Sequence, residues 1–187
     1  PSVDPVPLLF DLLFVINDAG SMAEEQAALA AQFPVMVEVL VTGDRDRDGR
    51  PVVQPVSDWQ VAVGTTNLES TGFEIGSCQI RPNNGSNGVH RTRAGGAGCP
   101  GMVPSFLRFR PELMRPDMFV SEFGCVARVG TSGCGLEQPL EAALKAVLPA
   151  GVLSFLEGDA HRDGANAGFI RDDAVLAVVL VSDEDDC

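Results

Sequence analysis

LLFDLLFVINDAGSM, residues 8–22, decides how this chain is read. Nine residues, Leu8–Ile16, are apolar except for Asp11, which is the pattern of a strand covered on both faces. The run stops abruptly in Asn17-Asp18-Ala19-Gly20-Ser21. Small and polar residues directly after a buried strand predict a strand that delivers a turn, and then a helix, to one end of a sheet. The helix is expected over residues 21–41, alanine-rich, with Leu29, Phe33, Met36 and Leu40 at helical spacing. Pro34 should kink or divide it. Ser21-Met22-Ala23-Glu24 reads as a capping box at its start.

Two further strands follow from the same logic. Residues 58–67 (DWQVAVGTTN) end in a polar tail, and residues 174–182 (AVLAVVLVS) form another nearly continuous apolar run. That run opens into Asp183-Glu184-Asp185-Asp186. A second helix is expected over 139–148, with Pro139 in its first turn and Leu140, Ala143, Leu144 and Val147 on one face. Strand, helix, strand and later helix, strand imply parallel pairing through crossovers, hence an α/β fold. In such sheets ligands bind outside the carboxyl ends of the strands. All three ends here offer oxygen ligands, the chemistry of hard cations.

The stretch between these blocks, about 69–135, reads as a Gly-, Arg- and Cys-rich insert. Between Gln79 and Arg115 it carries six arginines against the single acid Glu112. The whole chain has 187 residues, 26 acids against 13 bases and a formal charge of −13, with 45% apolar residues. That balance fits one folded domain and argues against nucleic-acid partners, which need basic surface. No apolar run is long enough to span a membrane. The chain also stops right after a core strand, which reads as a cut before further strands and before a partner for Cys187.

Five cysteines without a Cys-x-x-Cys point to disulfides in an oxidising compartment rather than to zinc. Cys78–Cys99 and Cys125–Cys134 would staple the insert, with other pairings open. A zinc site of Cys78, His90 and Cys99 is irregular in spacing and disfavoured. Asn84-Gly85-Ser86 matches a glycosylation sequon but reads as a turn. No Gly-x-Ser-x-Gly, P-loop or dinucleotide fingerprint is present, so no enzyme is expected. Asp44-Arg45-Asp46-Arg47-Asp48-Gly49 matches the opening of a calcium loop, with Asp58 as a substitute for the missing twelfth-position glutamate. The competing reading is a polar turn.

Four blocks, FVINDAGSM, WQVAVGTTN, GCGLEQPLEAALKAVL and LAVVLVSDEDDC, occur in this order and resemble the von Willebrand factor A-type (VWA) domain. They are especially similar to secreted bacterial VWA-like domains with cysteine-rich inserts. The resemblance implies a doubly wound, Rossmann-like, mostly parallel sheet flanked by helices, forming one domain over 1–187. It also implies a metal-ion-dependent adhesion site for Mg²⁺ or Ca²⁺. Position by position, that site would use Asn17, Ser21 and Asp183, with Ala19 and Cys134 as departures and Asp18 as a compensating acid. Weak or absent cation binding is therefore expected there. The function implied is non-enzymatic binding of a protein or glycan at the strand ends, in the extracytoplasmic space or cell envelope. The basic insert would face an acidic partner or neutralise the acidic end. The alternatives are a scaffold domain with a lost metal site and a metal-assisted hydrolase.

Overall fold

A computed structural model describes residues 8–68, 75–76, 78–152 and 160–185. Strand β1 (Leu8–Ile16) lies at the centre of a four-stranded sheet, with β2 (Val56–Thr65) parallel on one side. Strand β4 (Val175–Val181) is parallel on the other side, and β3 (Leu107–Phe109) is antiparallel on the outer edge of β2. The chain is thus α/β with a mostly parallel sheet flanked by helices, consistent with a Rossmann-like arrangement.

The period-two alternation of β1 sets the two layers. Leu12, Phe14 and Ile16 point to one core with Phe33 and Val37 of helix α1 (Ala23–Thr42). Phe119 and Phe123 of helix α2 (Pro116–Ala127) complete that core. Leu13 and Val15 point the other way, onto Ala142 and Ala146 of helix α3 (Pro139–Val147) and onto Phe169. Burying both faces is why the strand is apolar at nearly every position.

Several expectations change. Helix α1 runs unbroken through Pro34. Pro34 is exposed, so the carbonyl deprived of its donor lies on the solvent side, where water can satisfy it. The capping box does not form: a short 3₁₀ turn, Gly20–Met22, precedes the helix, and no side chain caps either element. In α3 the small residues Ala142 and Ala146 face the sheet with Ala143 and Val147 beside them, while Leu140 is exposed. Alanines let the helix approach the sheet closely, which the larger leucine would prevent.

The insert holds more structure than its composition suggests. Helix α2 has Pro116 at its first turn and buries Phe119, Phe123 and Val126, a helical spacing that was present in the sequence. Trp59, Phe109 and Phe119 pack as tilted and edge-on rings, 4.7–5.3 Å between centroids, and fasten the insert to β2. The staples are Cys78–Cys134 and Cys99–Cys125, not the neighbouring pairs. Two disulfides suggest an oxidising, extracytoplasmic environment. Cys187 lies outside the described residues. No helix among the described residues is long and apolar enough to cross a membrane.

Strand β4 was read as covered on both faces, but Val175, Leu176, Val178 and Leu180 are 39–49% exposed. Ala177, Val179 and Val181 pack on the α1–α2 core. The core under α3 is built on side chains of β1 and β2 and, among the described residues, includes none from β4.

Charged groups gather where the strands begin. Asp11, fully buried in β1, accepts the backbone N–H of Arg171 at 2.7 Å and its guanidinium at 2.8 Å. The same guanidinium reaches Asp58 at 2.8 Å, and Arg108 and Arg110 close on Asp58 as well. Burial would push the Asp58 carboxyl up, but hydrogen bonds from Arg108 and Arg110 and the Arg171 charge outweigh it and hold it at about 2. Asp58 is therefore a structural anion and takes no part in the 44–48 turn.

Candidate functional site

The carboxyl ends of β1 and β2 gather buried polar side chains, next to the exposed acids that end β4. Asn17, Asp18, Thr65, Thr66, Asn67 and Glu137 are all more than nine-tenths buried. Sequence puts them there by ending each apolar run in polar residues. The loop before α3 then comes back over the ends: Asn67 and Glu137 form an antiparallel bridge, and the Gln138 N–H donates to the Thr66 carbonyl. The Gly133 N–H donates to the Asp18 carbonyl at 2.6 Å. A side chain at position 133 would collide with the Asp18 carboxylate, so only glycine permits this approach. The Cys78–Cys134 bond fixes the loop beside that contact.

Asn17 is committed to internal bonds. Its Oδ1 accepts the Ala19 N–H at 2.8 Å and the Thr66 hydroxyl at 3.5 Å. Its Nδ2 donates to Asp183 Oδ1 at 3.1 Å and to Ser182 Oγ at 3.4 Å. An amide nitrogen thus occupies the space between β1 and the Asp183 carboxylate, where the VWA-like pattern would place a cation. Ala19 offers no side-chain oxygen, Cys134 is oxidised, and Ser21 is exposed on the 3₁₀ turn. Asn17, Ser21 and Asp183, with Ala19 and Cys134 at the other two positions, therefore do not fit a Mg²⁺ site: a donor stands where a ligand is needed. Asn17→Asp should confront two carboxylates and cost about 1–3 kcal/mol of stability at neutral pH. The loss should shrink in acid, where one carboxyl is protonated; urea denaturation at several pH values checks it.

Acceptor oxygens accumulate beside this closed pattern. Asp18 Oδ1, Asn67 Oδ1 and both oxygens of Glu137 are buried and receive no donor. Sequence reasoning passed over Glu137, because an acid just before a helix reads as an ordinary first-turn residue. Burial pushes the Asp18 carboxyl up to about 6; its own backbone N–H and the Arg91 and Arg81 charges pull it down, and Glu137 adds to the rise. The exposed Glu184 carboxyl is raised above its ordinary range because it faces Glu137 within hydrogen-bonding reach, with Asp183 adding repulsion.

The basic insert spends most of its charge internally. Arg91 is buried and donates to the carbonyls of Asn84, Arg128 and Val129. Arg108 and Arg110 bind Asp58, and Arg115 binds Asp117. His90 is fully buried, edge-on to Phe169 at 4.7 Å, and burial together with nearby His161 lowers it to about 3. With Cys78 and Cys99 both oxidised, His90 is a core residue and no zinc ligand.

Asp44, Asp46 and Asp48 do come together, their carboxylate oxygens within 4.8 Å of one another. Asp44 also accepts the Gly49 N–H and Asp48 the Arg50 N–H, both at 2.8 Å, the bonds of an ordinary aspartate turn. Comparison of the chain with protein-family models, with curated proteins and with solved structures finds no match.

Proposed function

We propose that this chain is a VWA-like, non-enzymatic binding domain of the bacterial extracytoplasmic space or cell envelope. Its ligand face is the carboxyl ends of β1, β2 and β4. The observation that carries this reading is the convergence of buried polar side chains from the ends of β1 and β2 and the α3 loop, beside the exposed acids that end β4, since a purely structural end would be satisfied internally. The four ordered sequence blocks support the VWA-like part, and the paired cysteines support the compartment. The ligand is a protein or glycan, with a divalent cation, Ca²⁺ or Mg²⁺, assisting. The 44–48 turn is a second, separate candidate for Ca²⁺.

The test is surface plasmon resonance of the immobilised chain against a glycan panel and purified envelope proteins, with and without EDTA. Binding that falls about tenfold or more in Asp18→Asn or Glu184→Gln is the expected result. Binding unchanged in both variants would move the ligand elsewhere. Turnover of p-nitrophenyl phosphate or acetate, lost in the same variants, would replace the reading with hydrolysis.

A further inference from the structure

Resting on the reading of the strand ends as a ligand face, we infer that a hard divalent cation is held there by Glu137 and Glu184, beside the Asn67 amide oxygen, and not by Asn17, Ser21 and Asp183. Ca²⁺ is the cation best matched to this all-oxygen set.

Glu137 carries the inference. It is fully buried, and neither of its oxygens receives a hydrogen bond from any described group. A buried carboxylate without donors is among the costliest arrangements in a protein, and it survives where it is protonated or ligates a cation. Its nearest polar company is more acceptor. The Glu184 carboxyl faces it, and Asn67, its bridge partner, projects to the same face of the ladder with a buried Oδ1 that receives no donor. Asp18 adds negative charge from the turn after β1, and Asp183 lies next to Glu184. Two positive groups, Arg91 and Arg81, act on Asp18. The Arg91 guanidinium is spent on three backbone carbonyls. Two carboxylates and an amide oxygen, with one side open through exposed Glu184, make a partial coordination shell. Water or an acidic group of a partner can complete it. The Asn17 amide closes the neighbouring position, so the ligands have moved from the strand-end residues of β1 to the loop before α3.

Isothermal titration of the intact chain with CaCl₂ tests this, using Asp46→Asn as the common background so that heat from the 44–48 turn is removed. The expected result is saturable Ca²⁺ binding, weakened about tenfold or more by Glu137→Gln and by Glu184→Gln, and unchanged in Ser21→Ala. Glu137→Gln should also raise Tm in EDTA, because it removes an uncompensated buried charge, and should abolish the rise in Tm that Ca²⁺ gives the parent. Glu184 is exposed, so its variant keeps the test alive if Glu137→Gln fails to fold. No Ca²⁺ heat up to about 10 mM, a range spanning the weakest extracellular sites, overturns the inference. So does binding that survives both glutamine variants. Glycan or protein binding indifferent to EDTA, without Ca²⁺ heat, overturns the cation but leaves the binding face standing. Ca²⁺ binding lost in both variants supports the cation even if no probe engages the face.

Discussion

Arg171→Met is expected to destabilise the domain by about 3–5 kcal/mol, the scale for removing one partner of a buried ion pair. Arg171 joins two carboxylates. Its guanidinium and backbone N–H hold Asp11, and a second guanidinium nitrogen holds Asp58. Without it Asp11, fully buried, keeps only a backbone donor among the bonds described. Asp58 still has Arg108 and Arg110, so most of the loss should come from Asp11. Chemical denaturation of Arg171→Met, alone and with Asp11→Leu, checks this. The double variant should recover part of the loss, because leucine removes the stranded charge.

The same network gives a pH dependence. The Asp58 carboxyl is held at about 2 in the folded chain against an ordinary 3.8. A depressed carboxyl stabilises the fold above the ordinary value, and the contribution fades as pH falls through the folded one. Asp58 should therefore contribute about 2 kcal/mol at neutral pH, lost between pH ~4 and ~2. In Asp58→Asn that part of the acid limb should be flat.

Replacing Cys78 and Cys134 together by serine is expected to cost about 4 kcal/mol, from the loop-closure entropy of a 56-residue separation. The Cys99–Cys125 pair, 26 residues apart, should cost about 0.7 kcal/mol less by the same relation. Their local consequences should differ more than their stabilities. Cys134 adjoins Gly133, which packs on Asp18, and lies three residues before Glu137. Losing Cys78–Cys134 should raise amide exchange at the strand ends. Losing Cys99–Cys125 should raise it around Gly95, whose N–H donates to the Cys125 carbonyl. Hydrogen exchange on the two double-serine variants separates them.

The parallel core was legible because its strands are buried and their ends polar, and those two facts leave a direct trace in composition. Residues 8–16 and Pro139–Val147 were readable to within a residue or two for that reason. Helix α2 and strand β3 were not read, since the glycines, prolines and arginines around them hid a Phe119–Phe123–Val126 spacing that packs on Trp59, Phe14 and Phe33 through its two phenylalanines. Cysteine pairing depends on which loops lie over which strand ends, and spacing alone does not contain it. Asp11, the lone acid in an apolar run, was a signal for a buried cationic partner, but nothing local named Arg171, 160 residues away. At the candidate site, the polar strand ends pointed to the right region. What Asn17 does there is set by its distance to Asp183. The isolation of Glu137 likewise depends on the loop that covers it.

The most direct measurement is a crystal structure of the intact chain grown in millimolar CaCl₂, with anomalous data collected to locate calcium. An anomalous peak bonded to Glu137 and Glu184, with Asn17 still donating to Asp183, is the expected result. A peak between Asn17 and Asp183, or strand ends free of calcium while Glu137 is capped by a protein donor, would contradict it.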